Sequence, residues 1–237
     1  MLYLIGLGLN EKGISLESME ILKKCKKIFL ENYTVEFPYK VSELEKIIKK
    51  KVVLADREFV EKMKFLLEAK RIDIALLIYG SPLMATTHIT ILQEAKRQKI
   101  KYKVFHGASV FDSIAETGLQ LYKFGKVTSL PKWQKGYEPT SFMNIVKENQ
   151  NINAHSLILI DIGLKFQDAL NELKIASEKE KIEIEKIAIC SELGTKKSKI
   201  YYKDIYDLNK TKVKAPFCFI IPAKMHFVES DFLKDFN

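Results

Sequence analysis

Short runs of aliphatic residues recur along the first half of the chain, and each is followed by a turn and then by apolar residues at helical spacing. Uninterrupted apolar runs of this length are typical of strands that are buried on both faces. They predict five strands, at Leu2–Ile5, Ile28–Leu30, Val52–Leu54, Ile72–Ile78 and Tyr102–Phe105. Strands that alternate with helices predict a parallel sheet with helices on both faces, over residues 1–108.

The segments between these strands carry apolar residues three or four positions apart, which places those residues on one face of a helix. The side chain of Ser15 is predicted to cap the first helix. The apolar positions of the four helices are, in turn, Leu16, Met19, Leu22 and Cys25; Leu44, Ile47 and Ile48; Phe59, Met63, Leu66 and Leu67; and Ile91, Leu92 and Ala95.

The second half, residues 109–237, predicts a second α/β domain with strands in mixed order. A short apolar helix is predicted from Val110 to Gly118, and a helix rich in lysine and glutamate at Gln167–Lys181. Strands are predicted at Val127–Leu130, Leu157–Ile162, Ile187–Cys190 and Phe217–Ile221, with a weaker one at Ile200–Tyr202. The segment around Trp133 is polar, and no regular element is predicted there.

The stretch Leu77–His88 is the best candidate for a ligand site. Gly80 and Pro82 end a buried strand, and a helical pattern begins near Thr87. At the carboxyl end of a parallel strand, amide groups of the turn and of the next helix lack partners in the chain and can bind a ligand. From these residues alone, an ordinary strand-to-helix turn explains the stretch equally well.

The two glycines at the end of the first strand raise the question of a dinucleotide site. Gly6 and Gly8 allow a ligand to approach the backbone closely, but the third glycine of the dinucleotide fingerprint is missing after Gly8. A nicotinamide dinucleotide site is therefore disfavoured.

Charge and composition exclude several classes of protein. The formal net charge is +9, but among the 39 basic residues only Arg57, Arg71 and Arg97 are arginine. Dispersed lysines lack the planar fork that recognises bases and phosphates, so nucleic acid is not expected as a direct partner. No apolar run approaches the ~20 residues of a membrane span, and no signal peptide is recognised, so a cytoplasmic location is expected.

The cysteines do not indicate a metal centre. Three cysteines, at positions 25, 190 and 218, lie far apart in apolar surroundings. They are predicted to be buried and unpaired, and no metal site is expected.

Six stretches of sequence together resemble a known family. They are residues 3–9 (YLIGLGL), 31–34 (ENYT), 80–88 (GSPLMATTH), 122–126 (YKFGK), 139–141 (PTS) and 221–229 (IPAKMHFVE). On these motifs the chain resembles the diphthine synthases, a family of the tetrapyrrole methylase superfamily of S-adenosylmethionine-dependent methyltransferases. The resemblance implies two α/β domains, with S-adenosyl-L-methionine bound in a bent conformation in the cleft between them.

The resemblance also implies the cofactor contacts. Carried over position by position, they are Leu9, Ser81, Met84, Ser109, Val110, Ile160, Leu193 and Cys218. Several are apolar, because such residues cradle adenine and methionine through packing and main-chain hydrogen bonds. The chain departs from the family at Ser81, where aspartate is usual, and at Ala223, where glycine is usual. A hydroxyl makes weaker hydrogen bonds than a carboxylate, which puts the cofactor affinity in question.

The reaction that the resemblance implies is methylation of elongation factor 2. The acceptor is the amino group of a 3-amino-3-carboxypropyl-histidine, which receives up to three methyl groups in diphthamide biosynthesis, and the enzyme is expected to be a homodimer. An α-amino group titrates near pH ~8, so part of it is already neutral and no strong general base is required. No catalytic residue is therefore assigned. The enzyme is expected to act mainly by positioning the amine against the methyl group.

Four residues in the matched motifs are candidate substrate contacts: Thr86, Thr87, His88 and His226. Thr86 and Thr87 could instead cap the following helix, and the two histidines could orient the cleft. His106 and His155 are interpreted as structural or surface residues. Asp161 is either a cleft carboxylate or a turn residue. The alternative functions are methylation of a tetrapyrrole or of ribosomal RNA, and a non-catalytic binding module.

Overall fold

The structure is a computed structural model, and it describes residues 1–236. The chain divides into two compact units, of which the first is Met1–Asp112 and the second begins at Ser113. The sequence places this boundary after residue 108. In the described part of the chain, no helix combines the length and the apolar character that crossing a bilayer requires.

The first unit is built on a parallel sheet of five strands, as predicted. The strands are β1 (Leu2–Gly6), β2 (Lys27–Glu31), β3 (Val53–Ala55), β4 (Ile74–Ile78) and β5 (Tyr102–Phe105). Their order across the sheet is β3-β2-β4-β1-β5. Separate apolar clusters cover the two faces of the sheet, which accounts for the continuous apolar runs in β1 and β4.

Five helices connect these strands: α1 (Leu16–Lys24), α2 (Val41–Ile48), α3 (Arg57–Lys62), α4 (Phe65–Ala69) and α5 (Ile89–Arg97). The predicted cap is confirmed, because Oγ of Ser15 accepts a hydrogen bond from the amide of Ser18 at 3.1 Å. The prediction was wrong at Leu16, which is 85% exposed and does not pack on the core. The prediction of a single helix from Phe59 to Leu67 was also wrong. Met63 adopts a left-handed conformation with φ of 50° and separates α3 from α4.

The second unit contains a mixed sheet, as predicted. Its strands are β6 (Thr128–Leu130), β7 (Ser156–Ile160), β8 (Lys186–Ser191), β9 (Lys199–Asp204) and β10 (Phe217–Ile221). The order is β6-β7-β10-β8-β9, with β6 and β7 parallel and the other neighbours antiparallel.

The remaining helices are α6 (Val110–Ser113), α7 (Phe142–Asn151), α8 (Phe166–Glu180) and α9 (Phe227–Leu233), with 3-10 turns at Ile114–Thr117, Leu121–Lys123, Asp207–Lys210 and Lys234–Phe236. The predicted short helix is confirmed: α6 continues as a 3-10 turn and stops at Gly118, whose φ is 78°. The absence of a regular element after Trp133 was a wrong prediction, because α7 lies there. Phe142, Met143 and Val146 pack into the core of the second unit, so tertiary burial stabilises a helix with weak intrinsic propensity.

Glu229 in α9 is the centre of a buried polar network in the second unit. Its side chain is fully buried. It accepts hydrogen bonds from the amide of Gln120 at 2.9 Å, the amide of His226 at 2.7 Å, the ring of His155 at 3.1 Å and the ammonium of Lys123. One carboxylate therefore joins the segment before α9 to the chain near Lys123.

His155 is held in one tautomer by its two partners. Its Nδ1 accepts from the amide of Ala223 at 2.9 Å, so Nε2 carries the hydrogen that it donates to Glu229. Burial lowers the pKa of His155, partly offset by Glu229, and keeps the ring neutral. Burial alone would raise the pKa of Glu229, but its hydrogen bonds, led by that from Lys123, hold the pKa at about 2. The interpretation of His155 as structural agrees with this geometry.

We expect the stability of the second unit to fall in two steps as the pH is lowered. Below the ordinary value of 6.5, the unfolded chain takes up a proton that buried His155 resists. Between the ordinary value of 4.5 and about 2, the stabilisation from ionised Glu229 is lost. In Glu229→Gln the second step should be smaller, and the variant should lose about 3–5 kcal/mol at neutral pH because Lys123 keeps a partly buried charge without its partner.

Urea unfolding at a series of pH values, followed by circular dichroism, measures both effects. Glu148→Gln is the control, because Glu148 forms an exposed pair with Lys126 and such pairs contribute little. Equal losses in the two variants would contradict a central role for Glu229.

Candidate functional site

Three loops of the first unit meet where neighbouring strands end. They follow β1, β4 and β5, which are adjacent in the sheet. The loops after β1 and β4 are paired directly: the amide of Gly8 donates to the carbonyl of Gly80 at 3.2 Å, and the amide of Gly80 donates to the carbonyl of Gly8 at 3.0 Å. The carboxyl edge of this sheet is where open α/β folds bind ligands.

Glycine is required at this meeting point because backbones touch there. A Cβ atom at Gly6 would lie 2.6 Å from the carbonyl oxygen of Gly80 and 2.7 Å from the amide nitrogen of Gly107. A Cβ atom at Gly107 would also lie 2.6 Å from the oxygen of Gly80. By contrast, a Cβ atom at Gly80 would approach no atom closer than 3.8 Å. The three loops are thus packed against each other, and a Cβ atom at Gly80 would be in ordinary van der Waals contact with Ala108 and Ser109 of the loop after β5.

The structure places five of the predicted cofactor contacts on these loops. The carbonyl of Leu9 accepts from the hydroxyl of Tyr79 at 2.9 Å. Ser81 is buried, and its carbonyl accepts a hydrogen bond from the amide of Met84 at 3.2 Å. The side chain of Met84 is exposed. Ser109 donates from its amide and from Oγ to the carboxylate of Asp112, at 2.6 and 2.9 Å.

Val110, the fifth, begins α6 directly after Ser109. Within residues 1–236, the hydroxyl of Ser81 has a single, long contact of 3.4 Å, to Nδ1 of the exposed His106. This separation is at the limit of a hydrogen bond, so the hydroxyl can still bind a ligand.

The other three predicted contacts lie in the second unit, at one edge of its sheet. Ile160 is the last residue of β7, and Leu193 lies two residues beyond β8. Cys218 lies near the start of β10, which runs antiparallel to both strands and pairs Cys218 with Leu159 and with Cys190. All three cysteines are buried and unpaired, as predicted.

The segment of residues 81–88 is folded around one carbonyl group. The oxygen of Pro82 accepts from the hydroxyl of Thr86 at 2.9 Å and contacts Nδ1 of His88 at 3.1 Å. Ala85 has a positive φ of 53°, an uncommon conformation for a residue with a Cβ atom. Thr87 is exposed. The cap alternative for the two threonines is wrong, because His88 occupies the cap position of α5 and no side chain caps it.

The histidines occupy very different surroundings. His88 is buried, and its Nε2 lies 2.9 Å from Oε2 of Glu31, the last residue of β2. His226 is exposed at the start of α9, where its ring accepts from the amide of Val228 at 3.4 Å. Asp161 serves a turn, since its carboxylate accepts from the amides of Lys132 and Ile162.

Sequence reasoning missed an aromatic cluster beside Leu9. The ring of Phe37 lies edge-on to those of Tyr39 and Tyr79, with centroids 5.5 and 5.4 Å apart. Burial raises the pKa of Tyr39 far above its ordinary range, so this phenol stays neutral. Phe37 and Tyr39 belong to no matched motif and lie 40 or more positions before Tyr79, so their contact with Tyr79 could not be seen in the sequence.

The chemistry of this region is that of a binding surface. It offers main-chain groups, hydroxyls and neutral aromatic rings. Among residues 1–236, no group of three or more histidine, cysteine, aspartate or glutamate side chains is arranged to hold a metal ion. Such a surface can orient a ligand that is already reactive.

Comparison with known proteins agrees with this geometry. The profile of the Tetrapyrrole (Corrin/Porphyrin) Methylases family matches residues 1–209. The chain is 36% identical, over 99% of its own length and 98% of its relative's, to the diphthine synthase of Methanocaldococcus jannaschii. It is 44% identical over 170 residues to the diphthine methyl ester synthase of Schizosaccharomyces pombe, covering 70% of this chain and 60% of that relative.

Solved structures show the same fold. A crystal structure of a diphthine synthase superposes with a TM-score of 0.90 at 27% identity, covering 99% of this chain and 95% of that one. A second, from Entamoeba histolytica and named provisionally as a diphthine synthase, has a TM-score of 0.90 at 33% identity and covers 100% and 98%. The chain therefore belongs to the tetrapyrrole methylase family, among the diphthine synthases.

The glycine contacts can be tested by a matched pair of variants. We expect Gly6→Ala to destabilise the protein strongly, because its Cβ would overlap backbone atoms at 2.6 and 2.7 Å that cannot rotate away. Gly136→Ala should cost only about 1–2 kcal/mol, because Gly136 has a φ of 82° but no atom within 4 Å of its added Cβ. Thermal unfolding of the two variants gives the comparison, and equal shifts in melting temperature would contradict the close packing of the loops.

Proposed function

We propose that the protein is an S-adenosyl-L-methionine-dependent methyltransferase that methylates the amino group of the 3-amino-3-carboxypropyl-histidine of elongation factor 2. The family and the relatives identify a methyltransferase of diphthamide biosynthesis, which needs a methyl donor. The donor, the amino acceptor, the transfer of up to three methyl groups and the protein substrate are our proposal.

The observation that carries the proposal is the meeting of the three loops at the edge of the first sheet. The convergence of β1, β4 and β5 brings the three loops together at the carboxyl edge of a parallel sheet, where open α/β folds bind ligands. Leu9, Ser81, Met84, Ser109 and Val110 are proposed to hold the cofactor there. Ile160, Leu193 and Cys218 are proposed as its further contacts. S-adenosylmethionine supplies a methyl group on a sulfonium, which is already activated for transfer.

The residues on these loops suit a reaction that is accelerated by positioning. The acceptor amine is partly neutral near pH ~8, so it can attack without a strong base. Alignment of the amine with the methyl group is then the main requirement, and well-oriented reactants gain large factors in rate. Thr86, Thr87, His88 and His226 remain the proposed substrate contacts, through their side chains or through the segments that they hold.

Two parts of the proposal concern the state of the protein in the cell. We propose that it acts in the cytoplasm, where its substrate carries out translation. We also propose that it is a homodimer, which light scattering distinguishes from a particle of 27.4 kDa.

The name of one relative supports a second candidate product. The S. pombe relative, 44% identical over 170 residues, is a diphthine methyl ester synthase. A methyl ester on the carboxyl group of the same substrate is therefore the second candidate. Mild alkali separates the two, because it cleaves a methyl ester and leaves N-methyl groups in place.

Mass spectrometry of the substrate tests the proposed reaction. Incubation with S-adenosylmethionine and elongation factor 2 carrying the aminocarboxypropyl group should add alkali-resistant methyl groups to the modified histidine. The control is elongation factor 2 with the unmodified histidine, which should gain no mass.

The other outcomes of this experiment identify the alternatives. Cofactor binding without any transfer would support a binding module. Transfer to a tetrapyrrole or to ribosomal RNA, but not to the modified factor, would overturn the proposed substrate. If alkali removes all the added methyl groups, the acceptor is the carboxyl group and not the amine.

We expect Ser81→Asp to tighten S-adenosylmethionine binding several-fold. A charge-assisted hydrogen bond is stronger than a neutral one by about 1 kcal/mol. The nearby ring of His106, 3.4 Å from Oγ of Ser81, could donate to the new carboxylate and keep it in place. Calorimetric titration of the variant and of the parent measures the change.

The control is the double variant that combines Ser81→Asp with His106→Ala. The gain should shrink when His106 is removed, because the carboxylate then loses the partner that orients it. If Ser81→Asp binds the cofactor no better than the parent, then Ser81 is not a weakened contact. Asp112 and Glu192 would then be the next acids to examine.

A further inference from the structure

Glu31 and His88 form a buried pair to which the proposed methyl transfer assigns no chemical step. Glu31 is the last residue of β2, and His88 directly precedes α5. Nε2 of His88 lies 2.9 Å from Oε2 of Glu31, and the two side chains are 2% and 1% exposed. Two ionisable groups are thus held together away from water.

The hydrogen bond to Pro82 determines where the first ring proton lies. Nδ1 of His88 is 3.1 Å from the carbonyl oxygen of Pro82. A carbonyl oxygen only accepts hydrogen bonds, so Nδ1 must carry a hydrogen. In a neutral ring, Nε2 would then present a lone pair to the lone pairs of a Glu31 carboxylate. That contact is repulsive, so the pair requires one more proton, on Nε2 or on Oε2.

The rest of the structure offers Glu31 no alternative partner. Within residues 1–236, neither oxygen of Glu31 has an aligned hydrogen-bond donor, and Nε2 of His88 has no aligned acceptor. The 2.9 Å separation of Nε2 and Oε2 is a close contact that is an ion pair only when the ring of His88 is protonated. A buried carboxylate without any donor is strongly unfavourable, so His88 is what makes Glu31 tolerable at this position.

The pair lies where it can attach the segment of residues 81–88 to the sheet. His88 ends the segment of residues 81–88, and Ser81 begins it. This segment continues from β4, and β2 is the neighbour of β4 in the sheet. The contact between Glu31 and His88 therefore attaches the far end of the segment to a second strand.

We propose that Glu31 and His88 are a proton-sharing positioning pair that holds residues 81–88 in the conformation that binds the methyl donor. The identity of the ligand rests on the proposed function, whereas the attachment of the segment belongs to the first unit alone. The essential feature is one hydrogen between the two side chains, and not the negative charge of Glu31. A glutamine at position 31 can supply this hydrogen from its amide to the lone pair of a neutral His88.

Substitution of Glu31 by glutamine and by methionine distinguishes a role of the bridging hydrogen from a role of the negative charge. We expect Glu31→Gln to bind S-adenosylmethionine within about threefold of the parent, because the bridging hydrogen is kept. We expect Glu31→Met to bind about tenfold or more weakly, because Nε2 of His88 loses its partner. Amide hydrogen exchange at residues 81–88, measured without any ligand, should be near that of the parent in the first variant and faster in the second.

A double variant keeps the test decisive if Glu31→Met fails to fold. Glu31→Met with His88→Met leaves no unpaired polar group, so it should fold, yet it should show the same fast exchange at residues 81–88. Glu172→Met is the matched control. Glu172 is a buried carboxylate of the second unit that also has one oxygen without a partner, and its loss should leave this exchange unchanged.

Two results would overturn the proposal. In one, Glu31→Gln binds S-adenosylmethionine as weakly as Glu31→Met and exchanges as fast at residues 81–88, which would show that the negative charge is what matters. In the other, the double variant exchanges and binds like the parent, which would show that the pair only fills space. A parent protein that does not bind S-adenosylmethionine would refute the proposed function instead, and the exchange rates without ligand would still decide the role of the pair.

Discussion

The contact of backbone on backbone at Gly6, Gly80 and Gly107 is the constraint on which the first unit depends. Three strand ends can converge only if no Cβ atom stands between them, since the distances of 2.6 and 2.7 Å leave no room for one. The reciprocal hydrogen bonds between Gly8 and Gly80 then fix the distance between two of the loops. The surface that results is made of main-chain groups, and this is why so few of its side chains look chemically active. The proposed transfer of a methyl group from an activated donor would need orientation more than an acid or a base.

Two buried carboxylates, Glu229 and Glu31, contact residues of other matched motifs, but they do so in two different ways. Glu229 is surrounded by donors from Lys123, His155 and two amides, and its pKa falls to about 2. Glu229 is therefore an ionised carboxylate with a structural role, and its hydrogen-bonding capacity is met by these donors. Glu31 has a single close partner, His88, and no aligned donor among residues 1–236. Burial of a polar group that is only partly satisfied is costly.

Much of the fold could be predicted from the sequence, because strands buried on both faces leave uninterrupted apolar runs and helix α1 begins with a serine cap. The failures have physical causes. Helix α7 is stabilised by burial of Phe142 and its neighbours, which local propensity does not report. The left-handed Met63 that divides α3 from α4 has no sequence signal, since methionine favours helices. The motifs located the loops of the candidate site, but the pairing of Glu31 with His88 joins residues 57 positions apart and could only be seen in three dimensions.

The most direct test of the account is a crystal structure of the protein with S-adenosylmethionine or its demethylated product. The account predicts the ligand at the carboxyl edge of the first sheet, within hydrogen-bonding distance of main-chain atoms in the loops that contain Leu9, Ser81 and Ser109. Residues 81–88 should keep the contact between Glu31 and His88. A ligand bound elsewhere, or bound at these loops only after they separate, would contradict the claim that the converging strand ends form the cofactor site.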